Sequence, residues 1–467
     1  MNLLVQGLAG ALLLYLVVLH LGQLALHYLA WRRLRRAVGL RALYDPPAAF
    51  TGLELPVSII VPTMDQADTI AERVRALLLM DYPEFEIVVV NDGSSDDTLG
   101  ALQAALQLEA FPEVYWRRLA TKPIRAIYRS HAEHKVRVVD KESGGRADAL
   151  NAGINASRYP LFCALDAQAL VHHDSLRRAV APFLDDPDTA ASGAAIGLAN
   201  GCTISGNRVT GIELPRSLPG LLQVVEYLGT YPFARLGWAR LGGALAMSGA
   251  MAVFRKDVAV EAGGFKSETR GMATELTMRL HRHLLARGDP FSVHFVPDAV
   301  GWSLAPETWR GIARQHMRRQ WGLAESLRAN AALLGMRGAA GMLAYPWLAA
   351  FEVYGPPIEI AAYAFMLLMF ALGQVSGIGL ATFVGAAVAL GFMVSASALL
   401  LEEYSFRFYP RSDQLLRLIL GALVQNLGYR QLVAFWRTAG LVQWARSRLN
   451  ATAPVRRELP GHGRLRP

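Results

Sequence analysis

The sequence predicts an α/β fold, a mostly parallel sheet in one domain, with transmembrane and interfacial helices flanking it. Three features of the chain point that way. The apolar run Val57-Ser-Ile-Ile-Val61 is followed by helical spacing over 70–79, then by the run Glu86-Ile-Val-Val-Val-Asn-Asp92 and a helix entered at Thr98. Strand, helix, strand, helix is the order of a parallel sheet whose ligands gather at the strand ends. A third buried run, Leu161-Phe-Cys-Ala-Leu165, delivers an acid, Asp166, to that same edge. Apolar stretches at 3–31 and 375–401 lie on either side of this pattern, and each exceeds the roughly 20 residues needed to cross a bilayer.

Composition agrees. The chain has 467 residues, 53% of them apolar, more than one ordinary domain and more apolar than a soluble protein. The net charge of +9 does not point to nucleic acid, because the arginines cluster beside the apolar segments and in the tail, where anionic headgroups attract them. Cys163 and Cys202 show no metal-ligand spacing and fit a reducing compartment.

In chain order, residues 1–31 read as a transmembrane helix. A cleaved signal peptide would need a basic start, which Met1-Asn2 lacks, and Arg32, Arg33, Arg35 and Arg36 follow the apolar run, so the positive-inside rule places what comes next in the cytoplasm. Residues 32–55 read as a linker holding Pro46-Pro47, and 56–330 as the α/β domain. Within it, 109–135 carries no clear periodicity. Lys141-Glu-Ser-Gly-Gly-Arg-Ala-Asp148 is a glycine turn opening a helix, a place for a diphosphate or a base. Ser248-Gly-Ala-Met-Ala-Val-Phe-Arg255 looks like a strand, 274–286 a helix with Leu276, Leu280 and Leu284 on one face, and Arg310, Arg314, Arg318 and Arg319 mark a basic amphipathic helix. Residues 331–436 read as transmembrane and interfacial helices. The part 341–373 is interrupted by Pro346, Pro356 and Pro357, and 414–436 is flanked by basic residues. Residues 437–467 read as a basic, disordered tail.

The segments 57–62, Val90-Asn-Asp-Gly-Ser-Ser-Asp-Asp-Thr98, Gly144-Gly-Arg-Ala-Asp-Ala-Leu-Asn-Ala-Gly153 and Leu165-Asp-Ala-Gln168 together resemble family 2 glycosyltransferases. Within that family the chain is similar to the membrane-embedded branch that includes poly-N-acetylglucosamine, hyaluronan, chitin and cellulose synthases. The resemblance runs on through Gly263-Gly-Phe265, Glu402-Glu403 and Gly428-Tyr-Arg-Gln431. It implies a cytoplasmic GT-A domain in a multi-pass protein of the plasma (inner) membrane, a nucleotide-sugar donor linked to UDP, a Mg or Mn ion, and a polysaccharide or lipid acceptor.

The resemblance also assigns roles. Asp92 would bind the base or ribose, with Pro62, Thr63 and Asp148 nearby, and Asp166 would be half of an Asp-x-Asp metal site. The other half is Gln168, a neutral oxygen where a carboxylate is expected, so metal affinity should fall. Counting from Gly264-Phe265, the family's acidic pair falls on Met272-Ala273, so Ala273 stands at the general-base position and Glu275 is an offset candidate. Gln315 and Arg318 match the Gln-x-x-Arg-Trp helix, which would hold the diphosphate and acceptor, while Arg319 stands at the tryptophan position; the other reading of Gln315 and Arg318 is a solvated basic face. These departures leave two expectations open. One is an active transferase. The other is a pseudo-glycosyltransferase, a nucleotide-binding or scaffold subunit paired with an active synthase.

Overall fold

The computed structural model describes residues 3–43, 52, 54–112, 114–166, 169–205, 208–247 and 249–452. The first element, α1 (Leu3–Leu43), runs through the arginine cluster, so the linker expected from residue 32 is helical as far as Leu43. No proline precedes Pro46 to stop it. Pro46-Pro47 lie outside the described residues.

The α/β unit opens with β1 (Val57–Thr63), α2 (Ile70–Leu78), β2 (Phe85–Asp92) and α3 (Thr98–Leu106). β1 and β2 are parallel, Val57 opposite Phe85 and Thr63 opposite Asn91. Strands covered on both faces read as continuous apolar runs. The stretch without periodicity contains β3 (Leu108–Ala110) and β4 (Ile124–Ser130), an antiparallel edge, and then comes β5 (Val136–Lys141), parallel to β2. An edge strand is half exposed, and its polar residues hide the pattern.

Next follow α4 (Arg146–Ala156), β6 (Leu161–Leu165), β7 (Leu170–Val171), α5 (Ser175–Asp185) and β8 (Thr189–Leu198). The small hairpin β9 (Thr203–Ser205) and β10 (Arg208–Gly211) precedes α6 (Leu218–Thr230) and α7 (Pro232–Arg240). The unit ends with β11 (Met251–Arg255), α8 (Lys256–Glu261), α9 (Met272–Arg287), β12 (Ser292–Ser303) and α10 (Trp309–Ala329). The ten-stranded sheet has the order β3-β4-β5-β2-β1-β6-β11-β8-β12-β7. Its centre, β5-β2-β1-β6, is parallel, and β11 joins β6 antiparallel.

Successive strand residues point to opposite faces, and the two cores follow from that. Ile59, Val61, Ile87 and Val89 pack with α2, α3 and α5, whereas Ile60, Val88 and Val90 pack with α4 and α9. All three leucines expected on the face of α9 are buried.

Beyond α10 the chain becomes apolar again. The short α11 (Tyr345–Trp347) sits between two π-helical turns and leads to α12 (Gly355–Ala371); the pair bends by 45° just before Pro356 and Pro357. Then come α13 (Gly377–Ser405), α14 (Ser412–Val424), a π-helical turn and α15 (Arg430–Thr452). Among the described residues two helices, α1 over Val5–Arg35 and α13, are long and apolar enough to cross a membrane, and the bent pair makes a third if it is one span.

Two arginines of α15 pair with the isolated acids of this region. Arg430 meets Glu359 at 3.1 Å and donates to His20 Nε2 at 2.6 Å, and Arg437 meets Glu352 at 2.9 Å and Gln320 Oε1 at 2.8 Å. The expected disorder from residue 437 is therefore corrected as far as Thr452. Arg437 is held by these bonds, and Leu441 and Trp444 pack on the cluster of Leu327 and Tyr345. Residues 453–467 lie outside the described residues.

Candidate active site

The parallel strands end together, and the loops that leave them are laced to each other. Asp65 Oδ1, after β1, accepts from Ser95 N at 2.7 Å, and Gln66 N donates to Thr98 Oγ1 at 2.8 Å. Thr63 is buried at the end of β1 and its hydroxyl donates to Gln66 at 3.4 Å; Pro62 beside it is partly exposed. Gly93 takes φ +66° between β2 and this loop, and a Cβ there would lie 2.7 Å from Ser143 N. Gly93→Ala is expected to lower stability by about 1–3 kcal/mol, read as a drop in the thermal midpoint. An unchanged midpoint would mean the turn relaxes freely.

Asp92 does not present a free carboxylate. It is 3% exposed and accepts from Lys141 Nζ at 2.6 Å, Gly144 N at 2.9 Å and Gly145 N at 2.7 Å. Lys141 is fully buried and also reaches Asp148 at 2.7 Å, and Asp148 accepts from Lys122 N at 3.0 Å. One cation therefore ties the end of β2 to the first turn of α4. Gly145 stands just before α4 at φ +86°, a left-handed conformation that favours glycine.

Arg146, the first residue of α4, closes the other side. Its guanidinium meets Asp166 Oδ2 at 2.7 Å and Gly249 O at 3.1 Å. Asp166 also lies in the field of Arg73 on α2, and its carboxylate is 32% exposed. That carboxylate offers a hard anionic oxygen of the kind Mg²⁺ or Mn²⁺ takes, so a divalent cation fits here if it shares or displaces the Arg146 contact. Gln168 and Ser248 lie outside the described residues.

The offset base candidate, Glu275, lies inside the protein. Glu275 is 0% exposed, and both its oxygens are held by Arg279, at 2.9 and 2.6 Å, with Asn330 at 3.4 Å. Arg279 in turn donates to the carbonyls of Ala262 and Gly264. Glu275, through Arg279, clamps α9 to the Gly263-Gly264 turn, and both its oxygens are engaged by Arg279. Ala273 is buried in the apolar packing with Met247 and Phe265. Glu307 is held by Ser217 at 2.6 Å and Asn200 at 2.9 Å, and these bonds keep its carboxyl below the usual range. A carboxylate held low is a poor proton acceptor.

On α10, Gln315 Oε1 is buried without a partner and Arg318 is exposed; among the described residues neither bonds to the strand-end cluster. Nearby, His316 meets Glu226 of α6 at 3.4 Å, and Tyr429 donates to the same carboxylate at 2.9 Å. Burial alone would raise the Glu226 carboxyl, but His316, Arg319 and Tyr429 outweigh it and hold it at about 2.

Sequence reasoning missed Lys141 and Arg146. Their signal was present: Lys141 lies three residues before the Gly144-Gly145 turn and Arg146 directly after it, at a helix start. A further group, His172, His173 and Asp174, has ligand atoms within 4.8 Å of one another, but Asp174 is already taken by His172 at 2.7 Å and by Arg178 at 2.5 Å.

Residues 58–259 match the family model of glycosyl transferase family 2, and residues 161–394 that of glycosyl transferase family group 2. The poly-β-1,6-N-acetyl-D-glucosamine synthase of Staphylococcus epidermidis is 24% identical over 263 residues, 56% of this chain and 53% of that protein. The synthase of Staphylococcus aureus strain MSSA476 is 25% identical over 263 residues, with the same coverage of 56% and 53%. The chain thus spans about half the length of the curated relatives it matches. Among solved structures, a mannosyltransferase from Pyrobaculum calidifontis in complex with GDP-mannose and Mn²⁺ superposes with a TM-score of 0.51 at 21% identity, covering 90% of this chain and 99% of that one.

Proposed function

This chain belongs to glycosyl transferase family group 2 and has a GT-A fold, and from that premise we propose that it binds a UDP-linked sugar and transfers the sugar to a polysaccharide or lipid acceptor at a membrane. The observation that carries this reading is the convergence of Asp92, Lys141, Asp148, Arg146 and Asp166 at the ends of β2, β5 and β6 and the start of α4. Ligands of open α/β sheets gather at such strand ends. A helix start carrying Arg146 favours a diphosphate. Asp166, with Gln168 two residues on, would hold a Mg or Mn ion, which when bound neutralises charge on the departing diphosphate. Pro62 and Thr63 would flank the nucleotide, and Asp92 and Lys141 would shape the turn it rests on. Gln315 and Arg318 would meet the diphosphate or acceptor from α10. The α/β unit over 56–330 would lie in the cytoplasm, with the spans in the plasma membrane.

A second reading has one observation of its own. Ala273, where the resemblance places the base, lies inside apolar packing and Glu275 is paired with Arg279, which favours a nucleotide-binding scaffold subunit that pairs with an active synthase.

Titration calorimetry of the detergent-solubilised chain with UDP, with and without Mn²⁺, tests both readings when followed by UDP-release assays. GDP serves as the comparison, because the mannosyltransferase structure holds GDP-mannose. Metal-dependent UDP binding with release is expected for a transferase, and Asp166→Ala should weaken the metal-dependent part at least tenfold. Binding without release would select the scaffold. Absence of binding to either nucleotide would sink the donor reading.

A further inference from the structure

Arg146 is held at the strand ends by something other than its own helix. It is the first residue of α4, where a cation stands against the helix dipole, which favours negative charge there. What holds the guanidinium lies across the site. Nη1 donates to Asp166 Oδ2 at 2.7 Å and Nη2 to Gly249 O at 3.1 Å. The same two segments are joined through the backbone, with Asp166 N donating to Ala250 O at 2.9 Å. One side chain thus staples the start of α4 to the end of β6 and to the residues before β11.

The staple covers the oxygen that a metal would take. Asp166 is the carboxylate that fits a divalent cation, and Gln168, two residues on, is neutral. A guanidinium in contact with Asp166 Oδ2 both masks that oxygen and repels a further positive charge. Arg73 of α2 adds to the same field while donating to Gln66 Oε1 at 3.4 Å. A second carboxylate at 168 would offset the repulsion. An amide does not.

The pair can also be exchanged. The side chains of Arg146 and Asp166 are 37% and 32% exposed, so ligands reach both, whereas Lys141 is fully buried between its acids. Ion pairs this exposed to water are weak. A diphosphate at the start of α4 offers the guanidinium several anionic oxygens of the kind it binds bidentately.

We propose that Arg146 guards the metal carboxylate, an inference that rests on the donor reading. It keeps a divalent cation off Asp166 until a nucleoside diphosphate takes the guanidinium, so that nucleotide and metal bind as a coupled pair, each raising the affinity for the other.

Mn²⁺ binding to the full-length chain in detergent, without nucleotide, is read from the loss of the free-ion electron paramagnetic resonance signal. Arg146→Gln is expected to bind Mn²⁺ about tenfold more tightly than the unmodified chain, because a unit positive charge is removed from beside the dication. The gain should vanish when Asp166→Asn is added, which places the ion on Asp166. Equal or weaker Mn²⁺ binding in Arg146→Gln overturns the proposal, as does a gain that survives Asp166→Asn. Should Arg146→Gln fail to fold, UDP titrated in EDTA tests the pair from its other side. Asp166→Asn is expected to bind UDP more tightly than the unmodified chain, because Arg146 is released to the diphosphate; no gain overturns the proposal. Where Arg146→Gln folds, adding it should shrink that gain. A gain of undiminished size would be plain relief of repulsion and would overturn the release. Absence of UDP binding in every variant would sink the donor reading, while the Mn²⁺ titration, made without nucleotide, would still decide whether Arg146 excludes the cation.

Discussion

Lys141→Met is expected to cost about 3–5 kcal/mol of stability, because it removes one partner from a buried ion-paired group and leaves the others uncompensated. Lys141 is fully buried between Asp92 at 2.6 Å and Asp148 at 2.7 Å. Without it, Asp92 keeps only the two glycine amides, Asp148 keeps the Lys122 amide, and a buried and a partly buried carboxylate are left facing each other. Denaturant unfolding in detergent measures the loss. Adding Asp148→Asn to Lys141→Met should return part of it, since one of the stranded charges is then removed. Nucleotide affinity should fall with the first variant, because the Gly144-Gly145 turn, still bonded to Asp92, loses the cation that braces Asp92 against Asp148 of α4. An unfolding midpoint equal to that of the unmodified chain would show that the cation does not organise this end of the sheet.

The second large effect is expected at Glu275 and Arg279. Either Glu275→Gln or Arg279→Met should destabilise by about 3–5 kcal/mol, and Glu275→Leu combined with Arg279→Met should cost less than the sum of the single changes, since no charge is then stranded. The same variants separate a clamp from a proton acceptor. As a clamp, Glu275→Gln lowers the rate of sugar transfer only in step with the folded fraction. A true general base would lower the turnover of protein that is still folded by about 10²–10⁴. Rate measurements normalised to folded protein decide between these, and a loss confined to turnover would restore Glu275 as a catalytic residue.

The parallel centre of the sheet and the long apolar helices were legible because burial on both faces, or in lipid, writes an unbroken apolar run into the chain. Asp92, Asp148 and Asp166 were legible because they end such runs or open a helix after glycines. β4 was not, because an edge strand mixes exposed and buried residues and loses its period. The helix after residue 437 was hidden for a different reason. Arg437 looks like a solvated charge until Gln320 and Glu352, 117 and 85 residues away in the chain, are brought beside it.

The sequence by itself determined the fold class, the helices long and apolar enough to cross a membrane and the strand ends where ligands of such sheets gather, since each depends on local periodicity and on the reach of one or two turns. Only the tertiary structure decided which charges are spent and which are available. Lys141 and Arg146 became the cations of the strand-end cluster, and Glu275 became a clamp. The worth of a charge depends on its burial and on partners far away in the chain, and neither is written in the residues beside it.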